Sequence, residues 1–136
     1  MKVKLEPWAF EPTRAHETDA GLDLMADTEI VLGPRDSVAV DTGVHVQLPP
    51  GTCGILVSKS GLYIKHGITS TGLIDEGYTG SIIVGLHNQS RHEVRIRKGD
   101  KISQLVVVPC LYEPVEIVDQ IDGGERGDQG FGSTGR

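Results

Sequence analysis

Asp75 stands in Gly72-Leu73-Ile74-Asp75-Glu76-Gly77-Tyr78, behind an apolar pair and just ahead of an apolar run. A carboxylate is ionised at neutral pH and can there take a proton from an attacking water, although the position also suits an ordinary turn aspartate. Ser58-Lys59-Ser60-Gly61-Leu62 sets a cation, two hydroxyls and a glycine side by side after an apolar stretch. That chemistry matches phosphate oxygens, and equally a serine-rich turn opening a short helix. No G-x-x-x-x-G-K precedes it and neither serine sits in a G-x-S-x-G elbow, which excludes a Walker loop and a hydrolase nucleophile turn. Ser60, His66 and Asp75 can be written as a triad, but a chain with 5 histidines always permits such a selection.

The C-terminal stretch carries Gly130-Phe131-Gly132-Ser133-Thr134-Gly135, a formal match to G-x-G-x-x-G. A dinucleotide fold requires a helix after that pattern, and the sequence ends one residue later. What the stretch does offer is Arg126, backbone N–H groups freed by glycine, the hydroxyls of Ser133 and Thr134, and the ring of Phe131. Such a segment can close over a phosphorylated aromatic ligand; its composition also fits a tail without structure. His16, His45, His66, His87 and His92 show no metal-ligand spacing among themselves or with Cys53 and Cys110, which argues against a protein-held zinc.

The elements that must position these residues are short. Alternating or apolar runs recur at 2–5, 21–25, 29–32, 37–40, 44–48, 54–57, 81–86, 93–96, 102–108 and 115–118, parted by turn formers such as Gly33-Pro34-Arg35-Asp36, Pro49-Pro50-Gly51 and Lys98-Gly99-Asp100. Val and Ile dominate the apolar residues, so the spacing predicts an all-β sandwich, jelly roll or barrel. The best helical segment is one or two turns after Ser60. With 136 residues the chain is one domain, 1–118, followed by a glycine-rich arm, 119–136.

A net charge of −6, from 13 basic and 19 acidic residues, runs against non-specific nucleic-acid binding. Two cysteines are too few for a disulfide framework and predict buried reduced thiols. The sequence has no apolar leader and no membrane-length apolar run, so a soluble cytoplasmic protein is expected.

Together these pieces resemble the trimeric deoxyuridine triphosphate nucleotidohydrolase (dUTPase) family. Five stretches resemble its five motifs in order: Ala20-Gly21-Leu22-Asp23-Leu24, then Ser58 to Leu62 with Lys65-His66-Gly67, then Gly72 to Gly80, then Gly99-Asp100-Lys101-Ile102-Ser103-Gln104-Leu105, and last Arg126 to Gly135. The resemblance implies a distorted jelly-roll or β-barrel protomer of a homotrimer, with a swapped, flexible C-terminal arm closing sites assembled from all three chains. It implies a dUTP diphosphatase that lowers dUTP and supplies dUMP for thymidylate synthesis. Asp75 would hold and deprotonate the water that attacks the α-phosphorus. Mg²⁺ would be held by the triphosphate rather than by direct protein ligands, with Asp23 touching it through water.

By the same resemblance, Lys59, Ser60, Gly61 and Gln104 contact phosphates and Arg126 pairs with the γ-phosphate. A β-hairpin ahead of Asp75, with Thr69, Gly72, Leu73 and Ile74, presents backbone to uracil. Tyr78 lies under the deoxyribose, Ile83 lines the same pocket, Phe131 covers the base, and Gly132 and Ser133 complete the closing arm.

Two departures stand out. Ser58-Lys59 replaces the family's usual Pro-Arg, keeping the charge but losing the planar fork. The stretch from Lys65 to Asp75 is also slightly shorter than the common pattern. The related dCTP deaminases are the alternative enzyme, but their glutamate falls on Gly85 here. A regulatory protein partner, as in some phage relatives, is the alternative of another class.

Overall fold

The structure is a computed structural model that describes residues 1–125 and 127. Nine strands and one helix are present among them: β1 Lys2–Leu5, β2 Gly21–Met25, β3 Ile30–Leu32, β4 Ser37–Gln47, β5 Thr52–Val57, α1 Ser60–His66, β6 Ile68–Ile74, β7 Ser81–Asn88, β8 Val94–Ile96 and β9 Lys101–Pro109. Seven strands form one curled antiparallel sheet in the order β1-β4-β7-β6-β5-β9-β2, and β3 pairs with β8 beside it. The architecture is the expected jelly-roll type.

Alternation builds the core. In β7, Ile82, Val84, Leu86 and Asn88 point inward and are buried while Ile83 and Gly85 are exposed. Leu22, Leu24, Leu56, Ile68, Ile74, Ile102 and Leu105 complete the same core. The fully buried Asn88 joins the two sheets, its amide donating to Leu32 O (3.0 Å) and His92 O (2.8 Å).

Three sequence expectations change. The runs at 37–40 and 44–48 belong to a single strand, β4, whose pairing to β7 shifts between Asp41 and His45. Gly43 lies in this irregularity with φ +64, and the Trp8 ring packs so tightly on it that a Cβ would come within 2.7 Å. Residues 68–74, outside every expected run, form β6, which alternation concealed because its inward position 70 is a serine. The run at 115–118 forms no strand: Val115 and Ile117 are more than 90% exposed, because no strand of the protomer pairs with them.

Candidate active site

β9 lies between β5 and β2, and its register aligns Val57, Gln104 and Asp23 across three strands. Residues directly opposite share a face, so Gln104 and Asp23 are neighbours on the side away from the core. Gln104 lies over Gly21, where a Cβ would sit 2.6 Å from its Oε1. The end of β5 then delivers Lys59, whose Nζ donates to Asp23 Oδ1 at 2.6 Å, while Lys101 Nζ donates to Oδ2 at 2.7 Å.

Asp23 is only 3% exposed. Burial alone would raise its carboxyl, but the hydrogen bonds and charges of Lys101 and Lys59 prevail and hold it below the usual carboxylate range. Lys101 had no assigned role in the sequence reading. Its only signal is the strand register, since nothing local marks it as the second cation on Asp23.

Ser58 makes the turn out of β5 without a proline. The β5–β6 ladder ends at Val57↔Thr71. At the next rung the Ser58 hydroxyl takes over: it accepts from Ser70 N–H (2.8 Å) and donates to Ser70 O (3.0 Å). Ser70 Oγ in turn meets the buried Ser103 Oγ at 2.8 Å. A side chain thus replaces a backbone rung and frees the chain to enter α1, whose first bond runs from Tyr63 N–H to Lys59 O at 2.9 Å. Ser60 and Gly61 are exposed at the start of α1, and a Cβ at Gly61 would meet nothing within 4 Å. Packing within the protomer does not demand that glycine, whereas close approach of a ligand to backbone would.

Asp75 lies elsewhere, at the turn between β6 and β7, where Tyr78 N–H donates to Asp75 O at 3.0 Å. The hairpin is therefore built around Asp75, with β7 following it, and not wholly ahead of it. β6 pairs with β7 only from Ile68↔Asn88 to Thr71↔Gly85. Beyond that rung β6 stays on β5 as far as Ile74, and β7 stays on β4 as far as Ser81. The strands part, and the facing backbone edges of Gly72, Leu73 and Ile74 carry no β6–β7 ladder.

Leu73 and Ile83 are exposed beside this opening. Tyr78 folds back so that its hydroxyl donates to Ser81 O (2.8 Å) and its ring covers Gly80, where a Cβ would come within 2.6 Å of Cζ. Thr69 sits away from the opening, in the closed part of the ladder opposite His87, and lines a separate hollow with Ser37 and Gly85.

Asp75 itself is exposed and lines a cavity of about 600 Å³ with Leu73, Pro50, Cys53, Cys110 and Tyr112. Glu76 braces the turn: its Oε2 accepts from Gly51 N–H (3.0 Å) and Tyr112 OH (2.6 Å). These bonds hold Glu76 below the usual carboxylate range, and the Tyr112 hydroxyl, donating to that carboxylate, is pushed up to about 12. Both cysteines are free, as expected, but half-buried; burial, then Cys110 and Asp75, push the Cys53 thiol up.

The structure thus brings Lys59, Asp23 and Gln104 together, and separately Asp75, Tyr78, Ile83 and the Gly72–Ile74 edge. The two groups occupy opposite ends of β5. Arg126, Phe131, Gly132 and Ser133 lie outside the described residues. Among the described residues no three His, Cys, Asp or Glu side chains form a metal cage. The one carboxylate of the lysine cluster is Asp23, both of whose oxygens are engaged by ammonium groups; it does not form a cation cage by itself, and contact with a cation carried by a ligand's phosphates would run through water.

The dUTPase family model matches residues 9–135. The chain belongs to the dUTPase family. It is 42% identical over 139 aligned residues to the deoxyuridine 5'-triphosphate nucleotidohydrolase of Gloeothece citriformis, covering 99% of this chain and 96% of that protein. The dUTPase of Staphylococcus bacteriophage 80alpha with dUPNHPP superposes with a TM-score of 0.90 at 33% identity, over 99% of this chain and 98% of the other. Phage dUTPases are described with it as controlling transfer of virulence genes by a proto-oncogenic G protein-like mechanism. A mutant dUTPase from phage phi11 of S. aureus, described as coordinating a structural Mg(II) ion, superposes with a TM-score of 0.82 at 28% identity, over 90% of this chain and 98% of the other. No helix among the described residues is long and apolar enough to cross a membrane.

Proposed function

We infer that the protein is a dUTP diphosphatase, releasing dUMP and pyrophosphate. The observation that carries the reading is the parting of β6 and β7 around Asp75 and Tyr78. It leaves an unpaired backbone edge beside an exposed carboxylate, in a chain of the dUTPase family.

In this reading the edge of Gly72, Leu73 and Ile74 hydrogen-bonds uracil, and the walls at Leu73 and Ile83 leave no space for the thymine methyl. Tyr78, fixed by its bond to Ser81 O, packs under the deoxyribose and excludes a ribose 2′-hydroxyl. Asp75 holds water and accepts its proton as the oxygen attacks the α-phosphorus in line; pyrophosphate leaves. Lys59, Ser60, the Gly61 backbone and Gln104 hold phosphates. When bound, Mg²⁺ on the triphosphate supplies charge neutralisation, with Asp23 reaching it through water.

The site is completed by other copies in a homotrimer. Residues 119–136 act as a closing arm that brings Arg126, Phe131, Gly132 and Ser133 and excludes water. The exposed Leu111, Val115, Ile117 and Ile121 support an arm seated on a neighbour. Gly85 offers no carboxylate for deamination. A regulatory partner is the second reading, favoured by the likeness to the phage 80alpha enzyme.

The test is pyrophosphate release with Mg²⁺ from dUTP, dTTP, dCTP and UTP, beside Asp75→Asn and a chain ending at Val118. Turnover of dUTP alone, lost in both variants while the core stays folded, is expected. Equal turnover of dTTP, or an active Asp75→Asn protein, overturns the reading.

A further inference from the structure

His45 belongs to no motif. It lies on β4 opposite Lys4 of β1 and Ser81 of β7, just after the irregularity at Gly43. Its ring is 20% exposed and makes two contacts. Nδ1 is 2.9 Å from Thr79 O and Nε2 is 3.1 Å from Glu6 Oε1.

Both partners are acceptors. A backbone carbonyl never donates, and an ionised carboxylate cannot. Glu6 is held ionised chiefly by the bond and charge of Lys4 (3.0 Å), with His45 adding to it against a smaller opposing effect of burial. The ring thus spans two acceptors, one from the β1 side and one from the turn ahead of β7.

The surrounding charges are mixed. Glu6, Lys4 and Lys2 come from the β1 side, and Lys2 and Lys4 line the same groove. From β4 itself, Asp41 is already engaged by Ser81 Oγ and Gly43 N–H. The turn contributes Asp75, Glu76 and Tyr78, of which Glu76 is committed to Gly51 and Tyr112.

We propose that His45 is a positioning residue whose two ring nitrogens tie Thr79 O to Glu6 and so fix the Asp75–Gly80 turn for catalysis. The turn is then braced on both flanks, through Glu76 on one side and through Thr79 on the other, with Tyr78 between. Loss of either ring contact loosens the turn. The proposal rests on the reading of that turn as the catalytic one.

The experiment uses the full chain. ¹⁵N spectra of the histidine ring report, without reference to activity, whether both nitrogens of His45 are hydrogen-bonded, and bonded shifts at both are expected. In parallel, kcat and KM for dUTP are measured for the parent, His45→Gln and Glu6→Gln. His45→Gln should lower kcat about three- to tenfold, the worth of one hydrogen bond, with a smaller change in KM. Glu6→Gln, which keeps an acceptor for the ring, should retain most of the parent's kcat. An unbonded His45 nitrogen, or a His45→Gln kcat equal to the parent's, overturns the proposal. A parent with no dUTP turnover would instead refute the functional reading, and the ring spectra would still decide the bonding of His45.

Discussion

Replacing Lys101 with methionine keeps the aliphatic stem and removes one of the two cations on a buried carboxylate. Asp23 is 3% exposed and accepts from Lys59 and Lys101 at 2.6 and 2.7 Å. A hydrogen bond to a charged group contributes ~1.5–3 kcal/mol. The Lys101 side chain is 43% exposed, and solvent screening brings the expected loss to about 1–2 kcal/mol. At ~2.1 cal/mol/K per residue, a chain of 136 residues loses about 3–7 °C in its melting midpoint.

The sign of the pH effect follows from Asp23. Its folded-state carboxyl is below the ordinary range, so the stability it contributes is complete above that range and is lost as pH falls through the folded value. With Lys101 gone the folded value moves up, and the variant's carboxyl takes a proton at higher pH than the parent's. Protonation relieves the variant of an under-compensated buried charge, so the gap in melting midpoint is widest near neutrality and narrows below about pH 4. Thermal denaturation of both proteins at equal concentration, followed by circular dichroism across this range, measures the gap. A gap of the same size at neutral and acid pH would refute the reasoning, since the lysine would then act through packing and not through the charge of Asp23.

Gly80→Ala places a Cβ within 2.6 Å of the Tyr78 ring and must swing it off Ser81 O; selectivity for dUTP over UTP should fall about tenfold or more. An unchanged ratio of kcat/KM values would sink the assignment of Tyr78 to the sugar. Asp75→Asn and Lys59→Ala chains, each inactive alone, should recover about one quarter of parent activity when co-expressed at equal levels, because a randomly mixed trimer gives that share of sites both residues from different chains. No recovery would mean that one chain supplies both.

Much of the fold was legible because alternation is a direct record of which face is buried. The 21–25 and 81–86 runs carry core leucines, isoleucines and valines at every second position, and each lies in a strand; in 102–108 the buried Ile102 and Leu105 are three apart, because the pairing of β9 with β2 shifts there. The short helix was legible too, from Ser60 to the Gly67 that ends it in the left-handed region. β6 was concealed for a physical reason. Ser70 occupies a core position and is kept there by Ser58 and Ser103, so a polar residue interrupts the apolar period where three strands are stitched by hydroxyls. The run at 115–118 failed in the opposite sense, because its alternation records a face that the protomer does not bury. At the site, Asp23, Lys59 and Gln104 are brought together by strand register between distant segments. The grip of Lys101 on Asp23 and of His45 on Thr79 has no local signature at all.

The same register supports the proposed sharing of the site between copies of the chain. Ile74 lies opposite Gly54, so Asp75 emerges at the level of Cys53, while Gln104 lies opposite Val57. Four residues of extended strand separate those levels by about 13 Å. A base must come within hydrogen-bond reach of its water, so in the proposed reaction Asp75 would serve an α-phosphate held by the Lys59 and Gln104 of a neighbouring copy. The intervening surface is apolar. Ile55 and Val57 point outward from β5 and are 38% and 41% exposed. A second copy seated on that face would bury those side chains and bring its own lysine cluster to Asp75. One contact then both stabilises the assembly and completes the site, which ties turnover to assembly: dilution that separates the chains must abolish activity even where each protomer stays folded.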